Sequence, residues 1–163
     1  MVPPGRTTRP TSDLVRGAVF NSLDARGVLD GASVADLFAG SGALGIEALS
    51  RGAGRATFVE ADRGAAAVIT RNLASLGLTD RARVEVVPVE RWQPADVDVV
   101  LVDPPYGWDG WDDLLARLRP VTGVLVVAEA ERGIEADGWQ VVARKRHGGT
   151  VVTQLQPRGA TRQ

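Results

Sequence analysis

Short apolar runs alternating with stretches of helical periodicity constrain the fold of this chain more than any other feature. The runs lie at 33–38, Ala56-Thr57-Phe58-Val59, Val84-Glu85-Val86-Val87, Val97-Asp98-Val99-Val100-Leu101-Val102 and Val124-Leu125-Val126-Val127. Between them the spacing predicts helices over 44–50, stopped near Gly52-Ala53-Gly54, over 62–76, with Gly77 as the cap, and over 111–118, just before Pro120. Strands that alternate with helices imply a parallel sheet covered on both faces. Two later runs, 139–143 and 150–155, read as a closing antiparallel pair joined by Lys145-Arg146-His147-Gly148-Gly149. Ahead of the first strand, Thr11 or Ser12 can cap a helix over 12–24 with Leu14, Val15, Ala18, Val19 and Leu23 on one face. Residues 1–10, rich in Pro, Arg and Thr, read as extended.

At 163 residues the chain suits one globular domain. No run approaches the ~18 apolar residues of a membrane span, and the start lacks the pattern of a secretory signal. There is no cysteine, so disulfides and thiolate–metal sites are excluded and a cytoplasmic location is expected. The single histidine, His147, has no ligand cluster around it, so no metal site is expected. The net charge of −1 is unevenly spread. Arg6, Arg9 and Arg16 face only Asp13 in the first 16 residues, and Arg144, Lys145, Arg146, Arg158 and Arg162 face no acid after residue 140. Basic ends around an acidic middle fit a polyanion held at the periphery of a site.

Two motifs sit at strand ends. Asp36-Leu37-Phe38-Ala39-Gly40-Ser41-Gly42 opens a helix after the first strand, and its glycines match G-x-G-x-x-G with Gly45. That pattern lets the backbone approach a ligand, which could be a dinucleotide or another adenosine compound. Asp36 tilts the choice. Its carboxylate can face the ammonium of S-adenosylmethionine, directly or through water, whereas a pyrophosphate would be repelled. Glu60, ending the second strand, can accept both ribose hydroxyls of either cofactor.

Asp103-Pro104-Pro105-Tyr106 follows the fourth strand and is the more specific signal. The prolines fix φ and remove amide hydrogens, so they present a carboxylate and a carbonyl rigidly. An aromatic amine is a poor nucleophile because its lone pair is delocalised. Accepting its two hydrogens on Asp103 and the Pro104 carbonyl would favour a pyramidal nitrogen, with Tyr106 stacked on the base. Methylating pyrimidine carbon 5 usually needs a thiolate. With no cysteine, the expected acceptor is an exocyclic nitrogen, methylated by direct in-line transfer.

These residues resemble the RsmD family, bacterial 16S rRNA guanine-N2 methyltransferases. The resemblance covers nearly the whole chain, most strongly at Arg9-Pro10-Thr11-Ser12-Asp13-Leu14-Val15-Arg16, at 36–51, at Phe58-Val59-Glu60-Ala61-Asp62 and at Asp103-Pro104-Pro105-Tyr106. It implies an α/β fold of the Rossmann-like class I S-adenosylmethionine-dependent type, with a mostly parallel seven-stranded sheet and helices on both faces. Residues 1–24 are then an N-terminal extension and helix, and 25–163 the methyltransferase domain. It further implies S-adenosylmethionine as cofactor and 16S rRNA of the small ribosomal subunit as partner, with no membrane contact; a monomer is expected.

Carried onto this chain, the cofactor would lie against Thr11, Asp36, Phe38, Ala39, Gly40, Ser41, Gly42, Glu60, Ala61, Val89, Glu90 and Asp103, and catalysis would fall to Asp103, Pro104 and Tyr106. Pro88-Val89 stands where the family more often has a polar pair near the adenine, and Leu14 and Gly17 where it commonly has a basic and an acidic residue. The family's glycine-rich basic hairpin, which precedes the Arg-Pro-Thr segment, is expected to be missing.

Arg6, Arg9, Arg16, Lys145, Arg146 and His147 are the candidate nucleic-acid contacts. Trp108 and Trp111 either stack on an unpaired base or, for Trp111 above all, join the core. Three other readings stay open: an N6-adenine or N4-cytosine DNA methyltransferase, a cofactor-binding module without turnover, and a nicotinamide-binding Rossmann domain.

Overall fold

The computed structural model describes residues 12–159, so Arg6, Arg9, Thr11 and Arg162 lie outside the described residues. The chain runs α1 (Ser12–Arg26), β1 (Ser33–Leu37), α2 (Ala43–Ser50), β2 (Arg55–Glu60), α3 (Arg63–Ser75), β3 (Ala82–Val86), β4 (Val97–Val102), α4 (Trp111–Leu118), β5 (Thr122–Ala130), β6 (Trp139–His147) and β7 (Thr150–Pro157). Short 3-10 turns at Thr79–Arg81 and Val89–Arg91 flank β3.

The strands form one seven-stranded sheet in the order β3-β2-β1-β4-β5-β7-β6. β1 to β5 are parallel, while β7 is antiparallel to both β5 and β6. This is the Rossmann-like class I methyltransferase arrangement, a mostly parallel sheet closed by one reversed strand.

Alternation along the strands feeds two cores. Val34, Phe58, Val99, Leu101, Leu125 and Val127 pack on one face with α1, α2 and α3. Ala35, Leu37, Val59, Val100, Val102 and Val126 pack on the other with α4 and Trp92, Trp111 and Trp139. Strands buried on both faces need near-continuous apolar sequence, which is why β4 reads almost as a run of valines. Its one acid, Asp98, is held at the start of the strand. There its Oδ2 accepts from the Ser33 amide at 3.0 Å, and its own amide donates to Ser33 Oγ at 3.0 Å.

α1 presents Val15, Val19, Phe20 and Leu23 to the first core. Leu14, expected on that face, is 78% exposed. The helix also continues to Arg26, so the boundary expected after residue 24 falls inside a helix packed on the sheet. Polar links tie α1 to α2. Arg51 donates from Nε to Glu47 at 2.8 Å and from Nη1 to Asp24 at 2.7 Å, and its guanidinium lies 5.6 Å from the centre of the Phe20 ring. The Glu47 hydrogen bond first, then the Asp24 one, raises the Arg51 pKa above its already high value. Arg16 meets Glu47 at 3.8 Å, so the two helices run side by side in the same direction.

Other boundaries moved by a few residues. Asp62 is the N-cap of α3 rather than its first helical residue, accepting from the Ala65 amide at 2.7 Å. β3 begins at Ala82 and stops at Val86, and β5 spans nine residues. The largest difference is in β6. Lys145, Arg146 and His147, expected in the connection, are strand residues paired with Val152, Val151 and Thr150. Only Gly148 and Gly149 make the turn, with Gly148 at φ 60°. A tight hairpin needs just such a glycine, and charge on an exposed edge strand discourages edge-to-edge association.

Candidate active site

In open parallel sheets, ligands bind beyond the carboxyl ends of the strands, at the point where the strand order reverses. Here that point lies between β1 and β4, and Leu37, the last residue of β1, is paired with Val59 on one side and Val102 on the other. Phe38–Gly42 and Asp103–Tyr106 therefore leave adjacent strands at the same level. Glu60, paired with Val86, ends β2 next to them.

The glycine turn is made by the backbone. Phe38 (φ 61°), Gly40 (φ 61°) and Gly42 (φ 84°) all adopt left-handed conformations. For phenylalanine this conformation is costly, on the order of 1–3 kcal/mol, so the surroundings must hold it. They do so from several sides. The Ala39 amide donates to the Val59 carbonyl at 3.1 Å, the Gly42 amide to the Ala39 carbonyl at 2.8 Å, and Asn72 Nδ2 of α3 to the Ser41 carbonyl at 3.1 Å. Gly45 has a different duty: a Cβ there would run into the buried ring of Phe58, so the glycine lets α2 lie close on β2.

The two acidic residues are buried and bound to backbone amides of the turn and of the first turn of α2. Asp36, 1% exposed, accepts the Gly45 amide on Oδ2 at 2.9 Å. Glu60, 7% exposed, accepts the Gly40 amide on Oε1 at 2.8 Å and the Asp62 amide on Oε2 at 2.9 Å. This bears on the cofactor. In a dinucleotide site the free amides of the turn and the helix N-terminus face a pyrophosphate. Here carboxylates of the protein occupy the Gly40 and Gly45 amides, so neither amide is open to a phosphate. A carboxylate oxygen accepts more than one hydrogen bond, so an acid bound to a backbone amide can also serve an ammonium or a ribose diol. The donor set fits a cationic adenosine compound and disfavours a nicotinamide dinucleotide.

Beyond β3, Val89 is buried and Glu90 exposed, and Ala61, directly after β2, is exposed. Among the acceptor residues Asp103 is half-buried, Pro104 is buried and Tyr106 is 80% exposed. The Gly107 amide donates to Glu131 Oε1 at the end of β5, at 2.7 Å. Trp108 stacks edge-on against Phe38, with centroids 5.1 Å apart, and against Trp111 at 5.2 Å. Its Nε1 donates to Glu90 Oε1 at 3.2 Å. Trp111 is 3% exposed and belongs to the core, so of the two tryptophans only Trp108 lies near solvent.

The links made by Glu131 and Asn72 escape sequence reading, since each joins segments more than 20 residues apart and neither stands in a motif. Gly45 was visible as the third glycine of its pattern.

The basic candidates divide. Arg16 is held by Asp13 at 3.1 Å and by Glu47, so its charge is partly engaged within the fold. Lys145 and Arg146 are exposed and His147 half-buried. Ala130 at the end of β5 pairs with Val151, and Thr150 with His147, so this hairpin reaches the same end of the sheet as Asp103. Among the described residues, no group of three or more His, Asp or Glu side chains could hold a metal ion, and no helix is long and apolar enough to cross a membrane.

A family model described as "Conserved hypothetical protein 95", the RsmD family, matches residues 1–156. The chain belongs to the RsmD family. It is 33% identical over 170 residues to "Putative rRNA methyltransferase YlbH" of Bacillus subtilis, a match covering 96% of this chain and 86% of that protein. It is 42% identical over 108 residues to "Ribosomal RNA small subunit methyltransferase D" of Escherichia coli. That match covers 64% of this chain and 53% of the relative, about half its length. The structure named "Putative methyltransferase yhhF from Escherichia coli" superposes with a TM-score of 0.82 at 32% identity, covering 95% of this chain and 89% of that one. Family and fold are those of S-adenosylmethionine-dependent methyltransferases.

Proposed function

We propose that this RsmD-family chain methylates the exocyclic N2 amine of a guanine in 16S rRNA of the small ribosomal subunit. The observation that carries the reading is the shared level of Leu37 and Val102, which sets the glycine turn beside Asp103-Pro104-Pro105-Tyr106. The names of the relatives support ribosomal RNA as the substrate. The basic end of the β6–β7 hairpin supports it independently. Three strand spacings separate β4 from β6, roughly 14 Å, so one RNA strand could reach both.

When bound, S-adenosylmethionine supplies an electrophilic methyl group. Asp36 would face its ammonium and Glu60 its ribose hydroxyls, with Phe38, Ala39, Gly40, Ser41 and Gly42 lining the approach and Ala61, Val89 and Glu90 bordering the adenine. Thr11 and Asp103 complete the set. On the acceptor side, Asp103 and the Pro104 carbonyl accept the two N–H hydrogens of the amine and orient its lone pair. Tyr106, exposed at the rim, stacks on the unpaired base. The rate enhancement then comes mainly from positioning and from charge placed at the amine.

The test is transfer of a labelled methyl group to small subunits lacking the modification, beside naked 16S rRNA and duplex DNA. Label on guanine N2 of the subunit is expected. Label on DNA alone overturns the RNA reading, and cofactor binding with no transfer to any substrate leaves a binding module in its place.

A further inference from the structure

Three loops meet at the carboxyl end of the sheet, and one side chain touches all of them. The Trp108 ring lies 5.1 Å from Phe38 of the glycine turn at an interplanar angle of 68°, and its Nε1 donates to Glu90 of the loop after β3 at 3.2 Å. Trp108 itself belongs to the loop that carries Asp103 and Tyr106. A Cβ at Gly110 would meet the indole at 2.5 Å, so the loop is shaped around this ring. Below, Trp111 backs the indole from the core at 5.2 Å. The Gly107–Glu131 hydrogen bond holds the other side of the loop.

We infer that Trp108 is a positioning residue that makes order in the acceptor loop depend on occupancy of the cofactor site. The inference rests on the proposed placement of the cofactor against Phe38 and Glu90. Phe38 sits in a conformation that its surroundings must hold, at φ 61°, so a ligand in the glycine turn bears directly on the ring that Trp108 touches. A ligand against Glu90 fixes the carboxylate that Trp108 bonds. Restricting both contacts restricts residues 106–110, and the base then meets a loop already ordered. Linkage makes the effect reciprocal: a base on the acceptor loop must tighten cofactor binding by the same factor.

Hydrogen exchange of the Gly107 to Gly110 amides, with and without saturating S-adenosylhomocysteine, tests this without any RNA. In the wild type the compound should slow exchange about tenfold, within the 5–150-fold typical of coupled sites. Trp108→Ala should still bind it, as calorimetry would show, yet lose the slowing. Trp108→Phe, which keeps a ring but not the hydrogen bond, should retain part of it, and Glu90→Gln, which keeps an acceptor oxygen, most of it. If Trp108→Ala does not fold, Trp108→Phe and Glu90→Ala decide the matter: full wild-type slowing in both overturns the inference. So does equal slowing in wild type and Trp108→Ala, or none in a wild type that binds. A wild type that gives no binding heat removes the cofactor placement, and this inference with it. Failure of methyl transfer to RNA, with the exchange pattern intact, strikes only the proposed function.

Discussion

The two halves of the candidate site are built differently. The donor half is part of the core: Asp36 and Glu60 are almost wholly buried, and their carboxylates are fastened to backbone amides in the glycine turn and at the helix starts beside it. The acceptor half is a surface loop, with Tyr106 80% exposed and the loop pinned at two points by Glu131 and Trp108. A cofactor that is the same small molecule in every turnover suits a rigid, prebuilt pocket. A base presented by a large RNA suits an exposed platform. Changes in the donor half should therefore cost binding and folding together, and changes in the acceptor half should cost rate more than either.

The largest effect expected is on the acceptor side. Asp103→Ala should lower the methyl-transfer rate by roughly 10² or more, the size seen when a key electrostatic group is removed. Asp103 is one contact among many for the cofactor, so calorimetry should find a smaller loss of affinity than in Glu60→Ala, and the melting temperature should fall less than in that variant. Normal turnover would show that Asp103 has been given the wrong role. A large drop in melting temperature would break the contrast between the halves.

Glu60→Ala comes next and should show the double cost of a donor-half change. Cofactor affinity should fall by about 1.5–3 kcal/mol, the range for a hydrogen bond to a charged group. Stability should fall as well, because the Gly40 and Asp62 amides both lose their acceptor. Glu60→Gln, which keeps one carbonyl oxygen, should recover part of each. Affinity unchanged in Glu60→Ala would move the ribose elsewhere.

A smaller and purely structural effect belongs to Gly45. Its added methyl group would collide with the Phe58 ring, which is fully buried in the first core. Overpacking of this kind costs about 1–3 kcal/mol, against roughly 1 kcal/mol gained from alanine's better helix propensity. Gly45→Ala should therefore lower the melting temperature by a few degrees. A variant as stable as wild type would mean that α2 can lift from β2, and that the donor half is softer than its hydrogen bonds suggest.

The sequence made the order of elements legible because strands buried on both faces leave an apolar signature that little else leaves. β4 and α4 fall where the pattern puts them, at Val97–Val102 and Trp111–Leu118. Edge elements were less legible. β6 carries Arg144, Lys145 and Arg146 because its outer side faces water, so its apolar signal fades before the strand ends. The same holds at Leu14, whose place in the helical period suggested burial although it stands exposed. For the site, Asp36 and Glu60 were visible as acids at strand ends, but that Glu60 fastens the glycine turn and Asp36 the start of α2 appears only in three dimensions. Trp108 was visible as an aromatic residue near the acceptor motif. Its contacts with Phe38 and Glu90 were not, since those residues come from different segments brought together by strand order.

The smallest effect expected lies outside both halves, on the β6 edge. Lys145 is exposed near the hairpin end, whereas Arg144 is drawn toward Glu135 at 3.4 Å. A lysine on a phosphate releases counterions whatever the sequence, so Lys145→Ala should reduce the slope of log affinity against log salt by about one. Arg144→Ala should change it less, because that charge is already partly balanced within the protein. The measurement is RNA binding at several salt concentrations. If removing Arg144 flattens the slope while removing Lys145 does not, the RNA runs along the other face of this edge, since neighbouring strand residues point in opposite directions. If neither matters, the RNA does not cross β6, and the acceptor platform is held to its substrate by contacts nearer Tyr106.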